Sequence, residues 1–214
     1  MPPFTVLHVC MGNICRSPMA ERLLVLAVRE RLDRLALDRL EPGPASAVPV
    51  PEEEALLHSH SAGTGGWHAG EEMNPPAARQ VVARGGDVDG FAARKLRSDQ
   101  IDAADLVLTA TADQQEYVLA LRPDAVERTF VLGEFGRLLP AVNRDLLPPA
   151  QPTPDAVYAR GVALVAAVAA ARGGAAPQPG DDLDDPWGRG DHTFSRVADE
   201  IEETVEALGV ALLP

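Results

Sequence analysis

The sequence predicts an α/β domain: a four-stranded parallel sheet with helices on both faces and a phosphate-binding loop after the first strand. Three observations carry this expectation. Short apolar, β-branched runs alternate with longer segments of helical periodicity. Cap and turn residues separate them. A length of 214 residues suffices for one well-filled core.

Phe4 to Val9 is mostly apolar, as a strand buried on both faces requires. Ser17-Pro18 then supplies an N-cap and a first-turn proline. Leu23, Leu24, Ala27 and Val28 recur at helical spacing within a helix from Met19 to about Leu37. Pro-rich sequence from Glu41 to Pro51 reads as an exposed loop. Leu56 to Ser61 is a second strand, and Asn74-Pro75-Pro76 opens a helix that stops near Gly85-Gly86. Leu106 to Leu108 is a third strand, and Thr111 and Gln114 have the spacing of a capping box for the next helix. Thr129 to Leu132 is a fourth strand leading into a helical stretch around Glu134 to Leu139. Thr153-Pro154 starts an Ala/Val-rich helix that ends at Gly173-Gly174. A final amphipathic helix aligns Val197, Ile201, Val205 and Leu208.

The net charge is −13, and 46% of the residues are hydrophobic, the composition of a folded chain. A field of that sign repels phosphate backbones and anionic lipid, so neither nucleic acid nor membrane is expected as a partner. The N-terminal residues lack a basic leader, and the longest uncharged apolar run, Val162 to Ala171, has ten residues. A bilayer span needs ~20. A cytoplasmic protein is expected. All basic residues but Lys95 are Arg, a bias that suggests a GC-rich bacterial genome.

In parallel sheets, sites form at the carboxyl ends of strands. After Val9 the chain reads Cys10-Met11-Gly12-Asn13-Ile14-Cys15-Arg16-Ser17-Pro18. A loop this short, wound between a strand end and a helix start, aims several backbone N–H groups at one point and adds the helix dipole. Gly12 and Asn13 tolerate the backbone geometry required. Arg16 can grip two oxygens of a phosphate with its planar fork. The same groups, with the Ser17 hydroxyl, favour the thiolate form of Cys10. A sulfur nucleophile on the floor of a phosphate cradle points to displacement at phosphorus. Cys-x5-Arg-Ser alone is a weak pattern; its strand-loop-helix setting makes it specific.

An aryl or alkyl oxygen leaves poorly without a proton, so a general acid is needed. Candidates lie in Asp181-Asp182-Leu183-Asp184-Asp185-Pro186-Trp187-Gly188, a segment stiffened by Pro186 and anchored by Trp187. Cys15 lies where a reversible disulfide with Cys10 would shield the nucleophile from deeper oxidation. Equal recovery of Cys15→Ser and wild type from peroxide would exclude that redox role. His58 and His60 share a strand face, but no third ligand accompanies them, so no metal is assigned.

These residues resemble the low-molecular-weight protein tyrosine phosphatases. The loop from Cys10 to Pro18 is similar to that family's signature. Ser61-Ala62-Gly63-Thr64-Gly65-Gly66-Trp67-His68 is similar to its segment after the second strand, and Asp185-Pro186-Trp187 to its Asp-Pro-aromatic loop. The resemblance implies hydrolysis of phosphotyrosine esters through a phosphocysteine, with Cys10 as nucleophile, Arg16 as oxyanion clamp and Asp185 as general acid. It implies substrate contacts from Met11, Gly12, Asn13, Ile14, Cys15 and Ser17, and aromatic walls at Trp67 and Trp187. Its place next to Trp67 puts His68 at the rim.

No cofactor is implied. The implied partner is a phosphotyrosine-bearing protein, a bacterial tyrosine kinase among the candidates, and a monomer is expected. Phe91 stands where the family often has a supporting His, and Thr111 where it usually has Asp. Extra length near 41–54 and 140–182 reads as flexible inserts. Arsenate reduction of the thioredoxin-coupled kind needs downstream cysteines, and none follows Cys15. A related phosphoarginine branch tends to carry Thr at the position of Ile14. A noncatalytic phosphotyrosine-binding module would keep Arg16 but not Cys10 or the acid.

Overall fold

The first apolar run becomes an inner strand. In the computed structural model, which describes residues 1–38 and 52–213, β1 (Phe4–Cys10) pairs in parallel with β2 (Leu57–Gly63) on one side and β3 (Leu106–Thr109) on the other. β4 (Thr129–Val131) completes the order β2-β1-β3-β4. The chain first moves outward from β1 to β2, then returns past β1 to β3. That reversal opens a crevice at the carboxyl end of β1, where Cys10 lies.

The described residues also form α1 (Arg16–Asp38), α2 (Glu53–Leu56), α3 (Pro75–Ala83), α4 (Ser98–Ala103), α5 (Ala112–Leu121), α6 (Leu132–Leu138), α7 (Pro154–Arg172) and α8 (Asp191–Leu212). Alternation of side chains along β1 explains the layering. Phe4, Val6 and Cys10 face a large cluster with Leu23, Leu24, Phe135, Val157, Leu164, Ile201 and Val205. Leu7 and Val9 face a smaller one with Ile101 of α4 and Val118 of α5. Full burial of each large aliphatic side chain contributes about 1.5–3 kcal/mol, so the α1 and α8 stripes carry much of the fold.

Several local expectations are corrected. Ser17 is not an N-cap: α1 already begins at Arg16, and the Ser17 hydroxyl is drawn to the Cys10 sulfur at 3.0 Å. The Thr111/Gln114 capping box does not form. Asp182 Oδ1 instead accepts the Ala112 N–H at 2.8 Å, and Thr111 Oγ1 is buried without a partner. A carboxylate at a helix N-terminus is the stronger cap. The short helices α2 and α4 were not anticipated, since four and six residues are too few to show a period.

The stretch 140–182, read as added length, contains the Ala/Val-rich helix expected from Thr153, here α7. The helix is capped by Thr153 Oγ1, which accepts from Ala156 N–H at 3.4 Å. It ends at Gly173 with φ +58°, and it buries Val157, Leu164 and Val168 in the main core. By length and composition α7 could cross a membrane, but apolar residues on a packed helix serve the core equally well. The other expected insert, near 41–54, falls mostly on residues 39–51, outside the described residues.

One core residue makes stability depend on pH. Ser59 donates its hydroxyl to Glu21 O at 3.0 Å, so His8 Nε2–H must be the donor in its 3.2 Å contact with Ser59 Oγ. His8 Nδ1 has no partner. Burial, and then the nearby His60, lowers the His8 pKa to about 3; burial and His58 lower His60 to about 4. The unfolded chain takes up these protons near pH 6.5 and the native state does not. Stability is therefore full above that pH and is lost as pH falls from 6.5 toward the folded values, by an order of several kcal/mol for His8. Urea unfolding between pH 7 and pH 5 should show a steeper slope in wild type than in His8→Gln. Identical slopes would refute this account.

Candidate active site

Cys10 ends β1 on the cleft floor, 2% exposed, with its sulfur turned into the loop that follows. Three loop carbonyls are tied outward. Cys10 O accepts Thr64 N–H at 2.9 Å, Met11 O accepts Gly65 N–H at 2.9 Å, and Ile14 O accepts Asn74 N–H at 2.8 Å. The loop interior is thus freed of competing acceptors. Into it the Asn13 backbone N–H points at Cys10 Sγ, 3.3 Å away.

Asn13 organises the loop. Its φ of +56° is the left-handed conformation that Asn adopts at little cost. Its Nδ2 donates to Ser17 Oγ at 2.9 Å and to Ser61 Oγ at 2.8 Å, and its Oδ1 accepts Arg94 N–H at 2.8 Å. Because Ser17 Oγ already accepts from Asn13, its own hydrogen is available to the Cys10 sulfur. Ser61 in turn donates to Glu21 Oε2 at 2.6 Å. Glu21 is 6% exposed, and burial raises its carboxyl above the ordinary range, against the pull of the Ser61 hydrogen bond. Hydrogen bonds therefore run outward from Asn13 Nδ2, through Ser17 to Cys10 Sγ and through Ser61 to Glu21, as one connected chain. Phe91 is buried away from this chain, beneath the Arg22 guanidinium at 5.9 Å.

Arg16 is 4% exposed. Its Nη1 donates to Leu183 O at 3.1 Å, its Nη2 lies 2.9 Å from Asp185 Oδ2, and its Nε is buried without a partner. The segment bearing Asp185 is pinned as well. Leu183 N–H donates to Ala110 O at 2.9 Å, and Trp187 N–H donates to Asp185 Oδ1 at 3.1 Å. Cys15 is a free thiol, pushed by burial and by Cys10 up to about 12. It stays protonated near neutrality.

These groups line one cleft of about 400 Å³, formed by Cys10, Met11, Gly12, Ile14, Cys15 and Arg16 below and by Trp67, His68, Asp185 and Trp187 above. Trp67 and Trp187 are 64% and 62% exposed. Indole faces left this open at a cleft mouth suit a flat aromatic ligand. Asn13 and Ser17 stand behind the sulfur rather than on the cleft wall. Sequence reading missed Glu21, Arg94 and the Leu183 carbonyl. Ser61 was singled out only within a segment, and nothing local marks Glu21 except an acid on the buried face of α1. The His58 and His60 rings lie tilted at 58° with centroids 4.8 Å apart, away from the cleft.

A family model described as "Low molecular weight phosphotyrosine protein phosphatase" matches residues 5–38 and 50–166. The chain is 34% identical over 113 residues to the low molecular weight protein-tyrosine-phosphatase YfkJ of Bacillus subtilis, covering 51% of this chain and 57% of that protein. Among solved structures, YfkJ from Bacillus subtilis matches with a TM-score of 0.61 at 20% identity, covering 97% of this chain and 93% of the other. The YwlE arginine phosphatase from Geobacillus stearothermophilus matches with a TM-score of 0.58 at 21% identity, covering 97% and 92%. At those identities the structural likeness bears on the fold.

Proposed function

The chain belongs to the low molecular weight phosphotyrosine protein phosphatase family, and from that premise we propose that it hydrolyses phosphotyrosine esters through a phosphocysteine. One observation carries the reading: the Cys10 sulfur receives the Asn13 N–H and the Ser17 hydroxyl on the floor of a cleft that also holds Arg16 and Asp185. Such donors stabilise a sulfur anion and leave it no hydrogen-bonded base to depend on.

Cys10 Sγ attacks phosphorus as the bond to the phenolic oxygen breaks, and Asp185 transfers its proton to that oxygen. Arg16 and the loop amides hold the three remaining oxygens, supplying charge stabilisation without a metal. The buried, unpartnered Arg16 Nε supports this grip. Asp185, now a carboxylate, accepts a proton from water as that water attacks phosphorus. The S–P bond then breaks, releasing inorganic phosphate and restoring both groups. Trp67 and Trp187 stack on the aryl ring, contributing about 0.5–1.5 kcal/mol per aromatic contact. The partner is a phosphotyrosine-bearing protein.

A relative 27% identical over 133 residues is named a protein-arginine-phosphatase, so phosphoarginine is the competing substrate. Ile14 lines the cleft with an alkyl group and no hydroxyl, and aromatic walls favour the aryl ester. The purified, reduced protein should turn over a phosphotyrosine peptide with kcat/KM at least about tenfold above a phosphoarginine peptide, a gap of ~1.4 kcal/mol in transition-state binding. The reverse preference would overturn the substrate assignment. Turnover of neither would make the protein a binding module.

A further inference from the structure

We propose that Arg137 of α6 is a positioning residue for the general acid, acting through Asp181; this rests on the role proposed above for Asp185. Asp185 is carried by a stem that leaves the turn at Pro179–Asp181 and has no regular secondary structure. A carboxyl on such a segment is placed only as well as the stem is anchored. Four consecutive residues of the stem make anchoring contacts, and they differ in strength.

Asp184 pairs with Arg196 at 2.6 Å, but the two side chains are 54% and 42% exposed. A pair that open to water restrains little. Asp182 caps α5 through Ala112 N–H, and Leu183 bridges Ala110 O and Arg16. Asp181 is different. Its side chain is 4% exposed, and Arg137 grips it with both arms, Nε to Oδ1 at 2.9 Å and Nη2 to Oδ2 at 2.7 Å. Gln178 N–H adds a third bond to Oδ2 at 2.7 Å. A two-armed grip fixes the direction of a carboxylate as well as its distance, and removing one partner would strand a buried charge.

The backbone fits the same purpose. A Cβ on Gly133, one turn before Arg137, would sit 2.5 Å from Asp181 O. Any residue other than glycine there would push the stem off α6. α6 thus seats the stem twice, by close backbone approach and by the ion pair. Arg137 itself is not among the residues lining the active-site cleft, so its influence on chemistry passes through the stem. General stability could be obtained from an apolar contact; a two-armed ion pair on a buried carboxylate, four residues before the acid, fixes an angle.

Loss of positioning has a kinetic signature distinct from loss of stability. Misplacing a proton donor harms esters with poor leaving groups and spares those whose oxygen leaves unprotonated. The experiment measures kcat/KM for phenyl phosphate and p-nitrophenyl phosphate, and the inhibition constant of inorganic phosphate, in wild type, Asp181→Asn and Arg137→Gln. In both variants kcat/KM for phenyl phosphate should fall about 10- to 30-fold, and for p-nitrophenyl phosphate less than about threefold. Phosphate inhibition should stay unchanged, and Arg137→Lys should fall between wild type and Arg137→Gln. If Asp181→Asn fails to fold, Arg137→Gln, with its side chain 38% exposed, carries the same measurement.

Equal losses on both esters, or weakened phosphate inhibition, would overturn the proposal. Asp185→Asn serves as the reference. If wild type turns over p-nitrophenyl phosphate and Asp185→Asn splits the two esters but Asp181→Asn does not, the inference alone fails. If Asp185→Asn shows no split, the assignment of the acid fails with it.

Discussion

Cys10→Ser is expected to lower kcat on p-nitrophenyl phosphate by at least about 10⁴-fold while leaving the affinity for inorganic phosphate within about threefold. The two groups at the sulfur are the Asn13 N–H and the Ser17 hydroxyl, whose oxygen already accepts from Asn13 Nδ2. Both are donors. They stabilise an anion, but neither removes a proton. A serine hydroxyl at position 10 would need a base to become nucleophilic, and Asn13 and Ser17 provide none. The oxyanion cradle is built from backbone and Arg16, which the substitution leaves in place. Steady-state kinetics and phosphate inhibition on purified, reduced protein decide the matter. Residual turnover above about 1% of wild type would move the nucleophile elsewhere.

Arg16→Lys is expected to cost about 10²–10³-fold in kcat/KM, with KM rising and kcat falling together. The guanidinium does several things that an ammonium cannot combine. Nη1 holds the Leu183 carbonyl at 3.1 Å, Nη2 reaches Asp185 at 2.9 Å, and Nε waits buried without a partner. Lysine is a point charge on a flexible stem. It could serve the phosphate or the acid-bearing segment, but not both in fixed geometry. Burying a charge this deeply is costly without compensation, which Asp185 and a bound oxyanion would supply. Phosphate inhibition should weaken in parallel with the rise in KM. A lysine variant within threefold of wild type would show that charge alone suffices.

The nine residues from Cys10 to Pro18 were legible because everything they need is local. A strand end, a five-residue loop and a helix start constrain one another through backbone geometry, and residue types such as Asn13 and Arg16 report the conformation and charge required there. Each strand and the longer helices were legible for the same reason: period and punctuation are read within a dozen residues. Reading failed where local signals competed with distant ones. Thr111 has the spacing of a cap, yet its hydroxyl caps nothing, and Asp182, 70 residues after Ala112, holds the first amide of the helix. Ser17 looks like a cap, yet the sulfur seven residues earlier claims it. The helix from Thr153 was legible in its period and caps, but its packing in the main core was not.

By itself, then, the sequence determined the alternation of strands and helices and the cradle that follows β1, because neighbouring residues set backbone dihedrals and side-chain periodicity. Only the tertiary structure decided how Leu183 comes to meet Arg16 across 167 residues, and how Glu21, Ser61 and Asn13 form one chain behind the sulfur. Those contacts follow from the strand order β2-β1-β3-β4, which brings the carboxyl ends of β1 and β3 side by side. That order is chosen by the burial of whole faces, a cooperative quantity that no short stretch of chain encodes.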